Sequence, residues 1–170
     1  LALALKIDTS NVSNPGFKDV PTTGEFYPYI AALASKGIIT GYSDGTFRPN
    51  QPITRGEAAK ALAIGYNFEI ATALSHEFKD VPETNSYAYY IQTLVNLNIT
   101  KGVTPTEFKP FAPVTRGQMA TFIVRSENAN AVPVYKVGKI EGNKVFINSV
   151  PYMIDSGLTS IFNEENKAVL

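Results

Sequence analysis

Two stretches of this chain are copies of one unit. FKDVPTTGEFYPYIAALASKGIITGYSDGTFRPNQPITRGEAAK begins at Phe17, and FKDVPETNSYAYYIQTLVNLNITKGVTPTEFKPFAPVTRGQMAT begins at Phe78. They align at a constant offset of 61 residues without a gap, and 18 of 44 positions are identical. Phe47 pairs with Phe108, Pro49 with Pro110, Pro52 with Pro113 and Arg55 with Arg116. A fixed repeat period governs the whole fold, so it is read before any single element. Carried one unit upstream, the offset sets Leu1 on Leu62, Ala2 on Ala63 and Leu3 on Ile64. Residues 1–7 then read as the last helical turns of an earlier copy, and the apolar opening LALALKID suggests a fragment of a longer chain. The expected division is 1–16 as the end of an upstream repeat and linker, 17–77 and 78–129 as repeats, and 130–170 as the start of a small β-rich domain.

Each unit reads as helix, loop, helix. Tyr29, Ile30, Leu33 and Ala34 recur at helical spacing and predict a helix over about residues 26–36. It stops at Gly37, and its counterpart at Asn98, the two residue types that best tolerate the left-handed conformation closing a helix. A loop of turn-forming residues, GYSDGTFRPNQP, comes next, with Phe47 directed to the core. The second helix opens at Thr54 with Glu57 three residues on, and Thr115 with Gln118 repeats this capping box. Ala58, Ala59 and Leu62, then Ala120, Ile123 and Val124, predict a buried stripe on these helices. Phe17, Phe47, Phe78 and Phe108 are expected in the core. After residue 130 the pattern changes. VPVYKVGKI and KVFINSVPYMI are rich in β-branched and aromatic residues, and Glu141-Gly142-Asn143 separates them as the turn of a hairpin. A short segment around Leu158–Phe162 and a strand opening at KAVL complete the reading. The fold class expected is mainly α: tandem helix-loop-helix repeats, then the start of a small β-rich domain.

Composition removes several functions. Lys+Arg and Asp+Glu are both 15, and the balance is local: 11 and 11 in residues 1–128, 4 and 4 in 129–170. A nucleic-acid partner held by bulk charge is not expected. The absence of cysteine excludes disulfides, thiolate zinc sites and thiol nucleophiles. His76 is the only histidine, which argues against His-based metal sites and triads; it lies in a polar linker with no specific role expected. No apolar run approaches the roughly 20 residues that span a bilayer. An EF-hand fails on acid count, since only Asp44 stands in the loop. No catalytic residue, cofactor or metal is expected, and the carboxylates show no pairing pattern of a glycosidase.

The repeat resembles the S-layer homology (SLH) family of bacterial surface proteins. The matching residues are Phe17-Lys18-Asp19-Val20, the run Gly37-Ile38-Ile39-Thr40-Gly41-Tyr42-Ser43-Asp44-Gly45-Thr46-Phe47-Arg48-Pro49, and Ile53-Thr54-Arg55-Gly56-Glu57. The second copy keeps Phe78-Lys79-Asp80-Val81 and Val114-Thr115-Arg116-Gly117-Gln118. The resemblance implies three repeats with pseudo-threefold symmetry in the full domain. It also implies grooves between repeats that bind secondary cell-wall polysaccharide, often a pyruvylated amino-sugar chain. The implied role is noncovalent anchoring of an extracellular protein on the cell wall of Gram-positive bacteria. The alternative is an S-layer lattice component whose repeats pack against other subunits without binding glycan. A hydrolase lying downstream, with these repeats as its attachment module, is a third reading. Two departures from the family stand out. Its usual Trp, eight positions after the opening Phe, is Glu25 and Ser86 here, with Phe26 and Tyr87 one place later as stand-ins. The second loop reads Val103-Thr104-Pro105-Thr106-Glu107 and loses Asp-Gly, so one groove is degenerate or differently tuned.

Arg55 and Arg116 stand just after the capping residues Thr54 and Thr115, where backbone N–H groups lack helical partners. The dipole there favours anions, so a recurring cation suggests a partner. A ketal carboxylate gripped by guanidinium and N–H groups is one reading. An ion pair with Asp19 or Asp80 that fastens one repeat to the next is the other. The resemblance favours the ligand. Asp19 and Asp80 are expected chiefly as structural caps or arginine partners. Asp44 offers polar contacts to a sugar or makes a turn, Gly41 and Gly102 permit close approach or a turn, and Tyr42 offers a face for stacking.

Overall fold

The structure, a computed structural model, describes residues 1–131, 137–141, 144–147 and 150–153. The chain divides into two compact units, Leu1–Ala131 and Val132–Leu170. The first holds four helices: α1 (Tyr27–Ser35), α2 (Arg55–Gly65), α3 (Ala88–Asn96) and α4 (Arg116–Asn130). Mostly helical architecture is therefore observed.

The local chemistry sets the helix limits. Thr54 and Thr115 cap α2 and α4: each hydroxyl accepts the N–H three residues on at 3.2 Å. Glu57 and Gln118 return the bond to the cap N–H at 2.7 and 3.1 Å, so both capping boxes form in full. The first helix of each repeat is closed by a left-handed residue, Gly37 at φ +68° and Asn98 at φ +56°.

The repeat extends to individual hydrogen bonds. Asp19 accepts the N–H groups of Phe47 and Arg48 at 2.8 and 2.7 Å, and Asp80 those of Phe108 and Lys109 at 2.9 and 2.7 Å. Arg48 and Lys109 share a left-handed backbone, φ +60° and +59°. Residues 1–7 obey the same rule. N–H groups of Leu5, Lys6 and Ile7 bond to carbonyls of Leu1, Leu3 and Ala2. One repeat on, Tyr66, Asn67 and Phe68 bond to Leu62, Ile64 and Ala63 in the same pattern. Leu1, Ala2, Leu5 and Ile7 pack with Leu33 and Ile38, as Leu62, Ala63, Tyr66 and Phe68 pack with Leu94 and Ile99.

Equivalent positions are not equally buried. Phe78 and Phe108 lie in the core, whereas Phe17 and Phe47 stack on each other at 5.2 Å and stay half-exposed. The stripe Ala58, Ala59, Leu62 is buried, but on α4 the corresponding expectation holds only for Ile123, which is half-buried against the core: Ala120 is exposed and Val124 is 54% exposed. The reason is packing: α2 lies against α3 and α4, while α4 has only α2 beside it among the described helices.

The linker between repeats is pinned. Buried Gln92 accepts the N–H groups of Ser75 and His76, and Thr93 accepts that of Ala71. His76 thus has a structural place that its polar surroundings in sequence did not suggest. Its ring stacks on Phe78 at 4.9 Å, its Nδ1 accepts the Phe78 N–H, and burial lowers its pKa.

In the second unit β1 (Val137–Glu141) pairs antiparallel with β2 (Lys144–Ile147), which pairs antiparallel with β3 (Val150–Met153). The run KVFINSVPYMI, read as one strand, is two. The expected turn residues Gly142 and Asn143, the segment Leu158–Phe162 and the final KAVL lie outside the described residues.

Candidate functional site

The N-terminus of α2 locks into the loop of the following repeat. The Arg55 and Gly56 N–H groups donate to the carbonyls of Ala112 and Pro110 at 2.9 and 2.8 Å, and Val114 donates to Ile53 at 3.0 Å. An antiparallel bridge joins Thr54 to Pro113. Two of the N–H groups that a helix start leaves without helical partners are thereby satisfied. The Arg55 side chain is 3% exposed; its Nε donates to the Phe108 carbonyl at 2.7 Å, and its guanidinium lies over the rings of Phe108 and Phe122 at 4.5 and 5.5 Å. Burial lowers its pKa and the charge of Asp80 opposes this. Arg55 therefore fastens repeat to repeat, but through a carbonyl and two ring faces. Asp80 is occupied by its own loop, and no Arg55–Asp80 ion pair occurs among the described residues.

Arg116 holds the equivalent place on α4 in the opposite state. It is exposed, and a Cβ added at Gly117 would meet nothing within 4 Å. At Gly56 the same Cβ would meet the Tyr87 ring at 2.5 Å and the Pro110 carbonyl at 3.1 Å. The acceptor side is likewise open in the first repeat: Pro49 is exposed where Pro110 is buried, and Phe26 is 62% exposed where its counterpart Tyr87 is half-buried.

A groove of about 470 Å³ lies beside α2. The loop of the first repeat supplies Thr40, Gly41, Tyr42, Arg48 and Gln51, α2 supplies Glu57, Lys60 and Ala61, and the second repeat supplies Tyr87. Tyr87 reaches it by lying against Gly56, with Phe111 edge-on at 6.4 Å. The Tyr42 hydroxyl donates to Glu57 at 3.3 Å; burial raises the Tyr42 pKa and the nearby Glu57 charge adds to the effect. Arg48 lies over the Tyr42 ring at 4.0 Å and pairs with Asp44 at 2.9 Å. Asp44 also accepts from the hydroxyl and N–H of Thr46, and these bonds hold its carboxyl well below the usual carboxylate range. Aromatic faces with a few fixed polar groups in a concave surface suit a sugar ring, which needs an apolar platform and hydrogen-bond partners at its edge.

Of the residues singled out in the sequence, the groove takes in Gly41 and Tyr42. Arg55 points into the interlock, Arg116 stands apart on α4, and Asp19 and Asp80 clamp their loops. Thr54 and Thr115 are caps. Gly41 and Gly102 sit under Phe17 and Phe78, where a Cβ would come within 2.5 Å of either ring. Sequence reasoning missed Lys60, Gln51, Glu57 and Arg48 as lining residues. A signal existed: Lys60 and Gln51 become Thr121 and Ala112 in the second copy, as expected of positions that the shared fold does not require.

The family model of the S-layer homology domain matches residues 16–59 and 77–120, together about half of the chain. The chain belongs to the SLH family. Its SLH repeats are similar to those of the surface-layer 125 kDa protein of Lysinibacillus sphaericus, 37% identical over 143 residues, covering 81% of this chain and 12% of that protein. They are similar also to an S-layer protein of Bacillus thuringiensis subsp. finitimus, 30% identical over 140 residues, 81% of this chain and 17% of that one. An endoglucanase of Bacillus sp. (strain KSM-635) is 36% identical over 122 residues, 69% of this chain and 12% of the enzyme. The chain thus spans less than a fifth of the length of each of these relatives. SLH family and S-layer relatives place it at the bacterial cell wall and surface.

Proposed function

We propose that this chain is a non-catalytic module that anchors a larger protein to the cell wall by binding secondary cell-wall polysaccharide, pyruvylated on its amino sugars. The observation that carries the reading is the groove beside α2, walled by Tyr42 from one repeat and Tyr87 from the next. A site shared by two repeats binds only when they are locked together, which gives the Arg55 interlock its part in the function. Several such grooves on one polymer would add avidity without new contacts. The endoglucanase relative is consistent with a repeat that is separable from catalysis.

The open faces at Arg116–Gly117 and at Phe26 and Pro49 are the two halves of the interlock that joins the repeats seen here. We assign them to a third repeat of the same kind, which would complete a pseudo-threefold arrangement. On this reading residues 1–7 are the closing turns of that repeat, supported by their hydrogen-bond equivalence to 62–68. Residues 17–77 and 78–129 are the two repeats, and 130–170 begins a β-rich domain, supported by its three paired strands.

Cosedimentation with cell-wall sacculi tests the function. The chain should sediment with native walls and remain in solution with walls stripped of secondary polymer. Equal sedimentation with both would remove the polysaccharide, and self-association without any wall would favour a lattice role.

A further inference from the structure

We infer that His76 is an acid-operated latch: an added proton on its ring expels the Phe78 N–H, frees the linker between the repeats and loosens the Arg55 interlock. The inference does not depend on what the groove holds. The linker before Phe78 is tied to α3, where Gln92 Oε1 accepts the N–H groups of Ser75 and His76 at 2.8 and 2.9 Å. The His76 ring stacks on Phe78 with centroids 4.9 Å apart, and the Phe78 N–H donates to its Nδ1 at 3.2 Å. Nδ1 is therefore the bare nitrogen, and the neutral ring carries its proton on Nε2. Nε2 is buried and has no hydrogen-bond partner among the described residues. A second proton can go only to Nδ1, where it would confront the Phe78 N–H, donor against donor. Neither ring nitrogen then has an acceptor among the described residues, so the charged ring has to leave its place to reach water.

The surrounding charges do not offset this. α3 carries tyrosines but no acidic or basic side chain, and Glu77 and Lys79, on either side of Phe78, are exposed. The backbone of His76 and the Asp80 carboxylate favour the charged ring, and burial outweighs both. Phe78 connects the latch to the interlock. Its ring tilts over Phe108 at 5.8 Å, the Phe108 carbonyl accepts the Arg55 Nε–H, and the Phe108 ring faces the Arg55 guanidinium. A shift of Phe78 thus reaches the contacts that hold Arg55. The linker before the first repeat is an internal control. Pro15 stands there for His76, and Ala31 and Ala32 stand on α1 for Gln92 and Thr93. The repeat fold does not require the histidine or its ties; they occur where the two repeats join. At the cell wall and surface that junction meets the acidity of the medium directly, and histidine is the side chain whose ordinary pKa lies in that range.

The single histidine gives one ring to follow by nuclear magnetic resonance. It should carry its neutral proton on Nε2 and titrate below the ordinary 6.5. Amide hydrogen exchange on the same samples, corrected for intrinsic rates, reads the consequence. Opening at the Phe78 and Arg55 N–H groups should rise by up to about tenfold per pH unit below the ordinary histidine pKa, the limit for linkage to one proton. It should level off below the ring's own midpoint. The N–H of Leu62, buried within α2, should not follow. His76→Asn supplies an acceptor two residues before the Phe78 N–H that cannot become charged. It should keep protection at neutral pH and lose the response to acid. A wild-type ring that titrates at 6.5 or above overturns the latch. A low midpoint without acid opening at Arg55 overturns the link to the interlock. Equal opening at Phe78, Arg55 and Leu62 makes His76 a group of global stability and overturns the latch as well, as does an Asn variant that opens in acid like wild type.

Discussion

The Nε–H of Arg55 donates to the carbonyl of Phe108, 53 residues downstream, at 2.7 Å. This bond, rather than an ion pair or an exposed anion site, is what the arginine of the first repeat does. Its homologue Arg116 is left in solvent, so one motif serves in two environments.

Arg55→Ala should destabilise the helical unit by about 2–4 kcal/mol, from an orphaned buried carbonyl, two lost cation–ring contacts and the packing of the stem. Arg116→Ala should stay within about 0.5 kcal/mol of wild type. Urea unfolding monitored by circular dichroism measures both, and equal effects would contradict the interlock.

The glycines one position later form a second matched pair. Gly56→Ala forces Tyr87 or the 110 carbonyl to move and should cost about 1–3 kcal/mol. Gly117→Ala meets nothing and should gain up to about 1 kcal/mol from helix propensity. The thermal midpoints should move in opposite directions.

Tyr42→Ala and Tyr87→Ala should each weaken sedimentation with native walls by about tenfold, corresponding to roughly 1.4 kcal/mol. The two tyrosines come from different repeats. Loss of binding in only one variant would reduce the site to a single-repeat surface.

Acid should weaken the first repeat's loop. Asp44 is held low chiefly by the Thr46 hydroxyl, and Asp19 chiefly by the Phe47 N–H. Both carboxyls titrate lower in the folded chain than in the unfolded one, so their contribution is complete above about pH 4 and is lost as the pH falls further. Urea midpoints measured from about pH 6 down to 2 should decline, and Asp44→Asn should flatten part of that decline.

Much of this architecture is local and so legible from the chain alone. The capping boxes at Thr54 and Thr115 and the left-handed stops at Gly37 and Asn98 depend only on near neighbours. The 61-residue period even located the turns at Leu1–Ile7, because identical local patterns make identical hydrogen bonds. Features that depend on distant partners were not legible. The burial of Arg55 is decided by residues 108–112, and the exposure of Val124 by what does or does not lie against α4. Tyr87 was noticed as a displaced aromatic, but its entry into the first repeat's groove comes from its resting on Gly56, a contact with no signature in either segment.

The bonds from Arg55 and Gly56 to Ala112 and Pro110 also order events in time. A ribosome adding about 5–20 residues per second makes the helix start roughly 3–11 s before its acceptors exist. During that interval α2 has its threonine cap but a hydrophilic guanidinium with no shelter and two amides bonded to water. The first repeat is thus completed by translation of the second, and a chain stopped between them would present to proteases a helix whose anchoring loop had not yet been made.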